Sequence, residues 1–158
     1  MSKVKTYSFT VNYPHLVNTL FTQAFISCGF EPKGISTSDH PEMEVFNALW
    51  DTGASNSVIT KNIVKKCKLE PIGRTKVNTA NGTMESLVYM INMGLPNHVG
   101  ISYLKVTEGI LHKDIDLLIG MDVINRGDFV ITNSDKKTTF SFRMPSIEVI
   151  DFVKQTKK

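Results

Sequence analysis

The chain is poor in cysteine, in long apolar runs and in net charge. Its two cysteines, Cys28 and Cys67, have no CxxC spacing, so we expect reduced thiols and a cytoplasmic protein. No run approaches the ~20 apolar residues that a membrane span requires. The N-terminal stretch "MSKVKTYSFTVNYPHL" also lacks the apolar core of a signal peptide. These absences predict a soluble protein without a membrane partner.

The charge balance and the histidines exclude further classes of protein. The 18 basic and 15 acidic residues leave a net charge of +3 that is spread along the chain, which argues against a nucleic-acid partner. The four histidines, His15, His40, His98 and His112, occur singly and form no HExxH or other metal-ligand spacing. We therefore expect no metal and no cofactor.

What the chain does contain predicts one mostly β domain. With 158 residues and 41% hydrophobic composition, it can bury one core but hardly two, so we expect a single domain over residues 1–158. Short alternating segments separated by turn residues predominate over helical periodicity. The clearest predicted strands are "KTYSFTVN", "NTLFTQAFIS", "MEVFNALW", "GISYLKVTEG" and "DIDLLIG".

Within this domain we expect a core of about residues 41–145, preceded by a β extension over residues 1–40. A helix is predicted over residues 146–158, because its apolar residues recur at helical spacing and its last residues are lysines. The apolar residues that set this spacing are Ile147, Ile150 and Val153.

Two further elements follow from local patterns. In "TKNIVKKCKLE", Ile63, Val64 and Cys67 share one face and Thr60 stands at the N-cap position, which predicts a short helix with Cys67 as a small buried residue. The segments on either side of Asn81-Gly82 predict a β-hairpin, because this pair favours the positive φ that a tight turn requires.

The stretch "NALWDTGASNSVIT", residues 47–60, delivers a single carboxylate to a glycine turn. An apolar strand leads into Asp51, Thr52 and Gly53, and the β-branched run "SVIT" follows. About 65 residues later, "LLIG" repeats the pattern of an apolar strand that ends in glycine. Loops that follow two such strands can pack side by side, which would place Asp51 at the base of a groove.

Three motifs together resemble the single-domain retropepsin-like aspartic proteases, a family that includes retroviral proteases and bacterial relatives. The motifs are "ALWDTGASNSVIT", "VNTANGT" and "DLLIGMDVI", in the family's order and approximate spacing. The resemblance implies a mostly β half-barrel with short helices, active as a homodimer. It also implies a flap, which is the β-hairpin that closes over a bound peptide.

The resemblance assigns roles to particular residues. Asp51 would be catalytic, Thr52 would hydrogen-bond across the dimer, and Gly53 would let the backbone approach the carboxylate and donate to it. The other roles are those of the flap tip and of packing behind the turn, and they fall on Ala80, Asn81, Gly82, Ile119 and Gly120.

The chemistry that the family performs requires two carboxylates. Peptide hydrolysis without a covalent intermediate needs an activated water and a protonated carbonyl oxygen, and a pair of carboxylates that share one proton supplies both. This chain has one D-T-G triplet, so the second aspartate would come from another copy of the chain. The predicted activity is therefore that of a homodimeric aspartic endopeptidase acting on extended peptides.

Other interpretations stay open. Asp51 could be an ordinary turn aspartate, and the fold could serve a non-catalytic dimer that binds or scaffolds peptides. Trp50 is expected in the core or the groove wall. Asp122 is interpreted as a helix cap for "VINR" and not as a second catalytic acid. Ser55 and Ser57 lack a G-x-S-x-G frame, which argues against serine hydrolysis.

Overall fold

The structure is a computed structural model that describes residues 5–31, 40–79 and 82–156. It is mostly β, as predicted, with ten strands arranged in two sheets. The strands of the larger sheet are β2 (Leu20–Cys28), β3 (Glu44–Trp50), β4 (Val58–Ile59), β5 (Gly73–Thr79), β6 (Gly82–Leu95), β7 (Val99–Glu108) and β8 (Leu117–Ile119).

The larger sheet closes on itself. Its order is β2-β3-β8-β4-β7-β6-β5, and an additional antiparallel pairing joins β2 to β6 through residues such as Phe25 and Gly94. The result is a closed, barrel-like sheet from which β5 projects as the outer strand of a hairpin. Alternation in β3 shows why the core forms inside, because Phe46, Ala48 and Trp50 are buried while the residues between them are more exposed.

A smaller sheet packs its apolar face on the end of β3. It contains β1 (Tyr7–Asn12), β10 (Thr139–Met144) and β9 (Asp128–Thr132), with β10 in the middle. Trp50 lies at the centre of an aromatic cluster with side chains from this sheet, and its indole nitrogen donates to Thr22 Oγ1 at 2.9 Å. The ring partners of Trp50 are Phe9, Phe129, Phe140 and Phe142.

The N-terminal segment is built into both sheets. It was expected as an extension of the core, and its strand content is confirmed. However, β1 pairs with β10 from the far end of the chain, and β2 pairs with both β3 and β6. The partner of β1 lies more than a hundred residues away in the sequence, and β2 has a partner strand on each side. These strands therefore belong to the core.

The helices are short. The predicted helix after the aspartate turn is α1 (Lys61–Lys66), with Ile63 buried, and Thr60 occupies the N-cap position without a side-chain capping bond. A second helix, α2 (Met121–Ile124), follows β8 directly. None of the helices in the described part of the chain is long and apolar enough to cross a membrane.

The C-terminal helix predicted over residues 146–158 is wrong in extent. Among residues 146–156, which the structure describes, only Phe152–Gln155, labelled α3, is helical, with Asp151 as its N-cap. The start of this tail is held in an extended form because Asp128 accepts hydrogen bonds from Ser146 Oγ and from the Ile147 backbone. The residues that suggested a helical apolar face remain exposed: Ile147, Ile150 and Val153.

Candidate active site

Asp51 stands at the carboxyl end of β3, beside the carboxyl end of a parallel strand. Trp50 is paired with Ile119 of β8, and the Asp51 backbone nitrogen donates to the Ile119 carbonyl oxygen at 2.9 Å. Because the two strands run parallel, the loops that follow them emerge at the same edge of the sheet. This is the side-by-side arrangement that the two glycine-ended strands predicted.

The Asp51 carboxylate is half-buried and is held by its own turn. Its Oδ1 accepts a hydrogen bond from the Gly53 backbone nitrogen at 2.8 Å. A Cβ atom at position 53 would lie 3.1 Å from the same oxygen, so glycine allows the close approach. Thr52 between them is exposed. Its hydroxyl is therefore accessible, and its role across a dimer stays a prediction.

The loop that begins at Asp51 packs backbone to backbone against the start of α2. Met121 donates to the Ala54 carbonyl at 2.8 Å, and Asp122 donates to that of Ser55 at 3.2 Å. A Cβ at Gly120 would lie within 2.7 to 2.9 Å of backbone atoms of Asn56 and Ala54. No side chain fits at position 120 without a shift of the loop.

Asp122 joins the two loops through its side chain, which corrects its interpretation as a helix cap. The N-cap of α2 is Gly120, and the Asp122 carboxylate instead accepts from Ser57, at 3.0 Å from the backbone nitrogen and 2.8 Å from Oγ. Ser57 is fully buried, and its Oγ accepts in turn from the Gly120 backbone nitrogen at 3.1 Å. We call this the Ser57–Asp122 brace.

Sequence reasoning missed this brace. Ser57 drew attention only as a nucleophile and Asp122 only as a cap, because each was weighed against its sequence neighbours. The parallel pairing of β3 with β8 was the signal that could have revealed it, since it brings residue 57 and residue 122 to one edge.

A depression of about 540 Å³ adjoins Asp51 and Thr52. Its walls are about equally polar and apolar, and Asp51 is the one carboxylate among the described residues that line it. The other lining residues are Val17, Asn18, Thr19, Leu20, Leu49, Trp50, Phe129, Ile131, Asn133 and Thr138.

The predicted hairpin is formed by β5 and β6. Thr79 pairs with Gly82, which leaves residues 80 and 81 as the two-residue connection. Gly82 has a φ of +112°, which glycine adopts freely and other residues do not. Ala80 and Asn81 lie outside the described residues, so the flap role of all three stays a prediction.

Two titratable groups near these elements are held protonated. Burial, followed by the hydrogen bond to Glu108, raises the pKa of Tyr89 to about 12. Burial also raises the pKa of the Cys67 thiol to about 11. Neither group ionises at neutral pH, so neither supplies a nucleophile. Cys67 was expected to be buried, and it is half-buried.

The fold and the turn around Asp51 define the class of retropepsin-like proteins. A retropepsin-like aspartic protease from Rickettsia conorii has a TM-score of 0.53 and 15% identity over 90% of this chain and 98% of that chain. The retroviral protease-like domain of Ddi1 from Leishmania major has a TM-score of 0.47 and 19% identity, over 79% of this chain and 95% of that one. For EIAV protease complexed with the inhibitor HBY-793, the TM-score is 0.44 and the identity 19%, over 69% and 88% of the two chains.

The sequence identifies the family directly. Residues 42–126, more than half of the chain, match the family described as "gag-polyprotein putative aspartyl protease". The chain belongs to this family of retropepsin-like aspartyl proteases. None of the curated proteins matches it at a significant level.

Proposed function

We propose that this protein is an aspartic endopeptidase that hydrolyses extended peptides. The observation that supports this most is the placement of Asp51, whose carboxylate is held by Gly53 at the joint end of β3 and β8. The turn orients one carboxylate oxygen through the backbone and leaves the other free of any hydrogen bond from the described residues. That free oxygen is available to a water molecule or to a second carboxylate.

The second carboxylate comes from a second copy of the chain. Asp51 is the one acid among the described residues around its depression, and a single carboxylate cannot act as base and acid in the same step. In a symmetric homodimer, two Asp51 side chains meet on the two-fold axis and share one proton. The charged partner draws a proton from water, and the neutral partner protonates the peptide carbonyl oxygen.

The remaining residues shape the site around this pair. Thr52 hydrogen-bonds across the dimer, while Ile119 and Gly120 support the turn from behind. The hairpin of β5 and β6 closes over the peptide with Ala80, Asn81 and Gly82 at its tip, excludes water and offers backbone hydrogen bonds to an extended chain. Cys28 and Cys67 are free thiols, which supports a reducing compartment such as the cytoplasm.

Mass-spectrometric cleavage profiling of a peptide library tests the proposal. Wild type should cut peptides, and Asp51→Asn should abolish the cuts, because an amide cannot exchange the proton. The control is Asp135→Asn, an exposed aspartate whose φ of +54° suits asparagine, and it should cleave like wild type. Retained cleavage by Asp51→Asn would refute the mechanism. Peptide binding without cleavage by wild type would favour the non-catalytic alternative.

Dilution tests the dimer separately. Specific activity should fall as the protein is diluted through its dimer dissociation range, measured by sedimentation in parallel. Activity that is strictly proportional to concentration in a preparation shown to be monomeric would contradict the two-chain site.

A further inference from the structure

A second concavity, of about 570 Å³, adjoins the loop of residues 51–57, which we call the catalytic loop of the proposed site. It runs between Asn56 of that loop, Arg74 in β5, Tyr103 and Lys105 in β7, and Arg126 just after α2. We call it the basic groove. It shares no lining residue with the Asp51 depression, and its walls include residues of the catalytic loop and of the β5–β6 hairpin.

The groove concentrates positive charge. Its lining contains three cations, Arg74, Lys105 and Arg126, and one carboxylate, Asp122, for a net charge of +2. The whole chain carries only +3. The Asp122 carboxylate is already occupied by Ser57, so it offers little to the cations around it.

The cations are available for a ligand. Lys105 has no ion pair within the described parts of the chain. Arg74 contacts Glu85 at 3.6 Å, but both side chains are more than half exposed, and such surface pairs contribute little. Arg126 uses its Nε to donate to the Asp122 carbonyl at 3.1 Å, which orients the guanidinium while its terminal nitrogens stay free of partners among the described residues.

An aromatic side chain is presented to the groove by a strained backbone. Tyr103 has a φ of +53°, which is rare for a bulky residue, and it sits at a bulge where the β6–β7 register shifts. The buried Asn92 side chain pins this bulge by accepting from the Tyr103 backbone nitrogen at 3.0 Å. Tyr103 is 45% exposed, so the strain holds a phenol at the groove and not in the core. Strain of this kind is concentrated at functional sites.

We propose that the basic groove binds acidic side chains of the peptide substrate, on one side of the bond that is cleaved. This inference rests on the proposed function. A peptide held at Asp51 under the hairpin would continue past Asn56 and Arg74, which line the groove. The planar guanidinium of arginine matches a carboxylate in a two-bond geometry, and the tyrosine hydroxyl adds a donor. A nucleic acid fits less well, because a net charge of +2 that includes a carboxylate offers too little to a continuous run of phosphates.

Binding can be measured without cleavage in the Asp51→Asn protein. The probes are two fluorescein-labelled twelve-residue peptides that differ only in Glu or Gln at four positions, read by fluorescence anisotropy at low salt. The Glu peptide should bind about five- to tenfold more tightly, and the preference should weaken with added salt. The triple variant Arg74→Gln, Lys105→Gln, Arg126→Gln should lose the preference. The charge-matched control Lys65→Gln, Lys137→Gln, Lys154→Gln, at exposed positions outside the groove, should keep it.

The outcomes test the groove proposal separately from the protease proposal. Equal binding of the two peptides, or an equal loss of the preference for the Glu peptide in the control variant, would overturn the groove proposal. The protease proposal would stay intact. Tighter binding of a single-stranded twelve-nucleotide DNA than of the Glu peptide would overturn it in favour of nucleic acid. Absence of cleavage by wild type would refute the protease alone. Lys105→Gln by itself breaks no hydrogen bond in the described structure, so it should reduce the preference even if the triple variant fails to fold.

Discussion

The catalytic loop and the β5–β6 hairpin are built in opposite ways. Residues 51–57 are tied to β8 and α2 by backbone hydrogen bonds and by the Ser57–Asp122 brace, and Ser57 is fully buried. The strand β5 pairs only with β6 among the described strands, and most of its residues are exposed. Side-chain contacts between the two strands include a hydrogen bond from Thr83 to Asn78 and the exposed Arg74–Glu85 pair.

The difference suits the two tasks that the proposed function assigns to this site. A carboxylate that shares a proton needs a fixed position, because a displacement of an ångström is costly in rate. A cover that admits and releases peptide needs a low cost of opening, and segments with few buried contacts open locally at low cost. Substitutions in the loop should therefore affect both stability and chemistry, while those in the hairpin should act on substrate handling.

The largest effect is expected from Gly120→Ala. The new Cβ would lie within 3 Å of backbone atoms that cannot move without shifting the loop. We expect a loss of about 1–3 kcal/mol in the free energy of unfolding and a fall of about 100-fold in kcat/KM. Urea unfolding and peptide cleavage would measure the two effects. Gly100→Ala is the control, because a Cβ there meets nothing within 4 Å, and equal effects at both positions would contradict the packing argument.

The next effect is expected from Asp122→Ala, which leaves the buried Ser57 donors without acceptors. The unfolding free energy should fall by about 1–3 kcal/mol, and kcat should fall more than KM rises, because Asp122 positions the loop through Ser57. Asp122→Asn keeps one acceptor oxygen and should restore part of kcat. Asp114→Ala, at an exposed position, is the control. A loss of stability with unchanged kcat would show the brace to be structural alone.

A smaller effect is expected from Gly82→Val in the hairpin. At a φ of +112° a β-branched residue is strained by about 1–2 kcal/mol, so the hairpin tip should shift. KM should rise and kcat should fall severalfold, while the circular dichroism spectrum stays unchanged. Gly100→Val, at an open position of β7 without a positive φ, should leave kinetics unaltered. Unchanged kinetics in a folded Gly82→Val protein would mean that this hairpin is not the flap.

The smallest effect is expected from Tyr89→Phe, at the base of the hairpin in β6. Loss of its bond to Glu108 should cost about 1 kcal/mol at neutral pH without altering kcat. Because the folded pKa is raised from 10.0 to about 12, the neutral phenol stabilises the fold fully below pH 10, and this contribution is lost as pH rises to about 12. Wild-type stability should therefore fall more steeply than that of Tyr89→Phe over this range. Parallel curves would contradict the assignment.

The part of the site that was predictable is the part that is local. Asp51, Thr52 and Gly53 form a turn whose backbone bond spans two residues, so the triplet and its flanking strands were sufficient to identify it. The two apolar strands that end in glycine also predicted that their loops would lie side by side, and β3 and β8 do pair in parallel.

The helical spacing of apolar residues led to a wrong prediction in the C-terminal segment, where these side chains do not pack against an apolar surface. Ile147, Ile150 and Val153 have helical spacing, yet a helix of that length needs an apolar face to pack against, and these side chains are exposed. The competing interaction comes from Asp128 in the distant strand β9, which accepts hydrogen bonds from Ser146 Oγ and from the Ile147 backbone nitrogen.

By itself, the sequence determined the mostly β class, the family and the turn that presents Asp51, because alternation, glycine conformation and the D-T-G triplet act over a few residues. The tertiary structure alone decided the Ser57–Asp122 brace, the pairing of the N-terminal strand with β10 and the gathering of Arg74, Lys105 and Arg126 around one groove. Each of these joins residues between 21 and 137 positions apart. Contacts of that range depend on which strands pair in the closed sheet, and no local sequence pattern predicts that pairing.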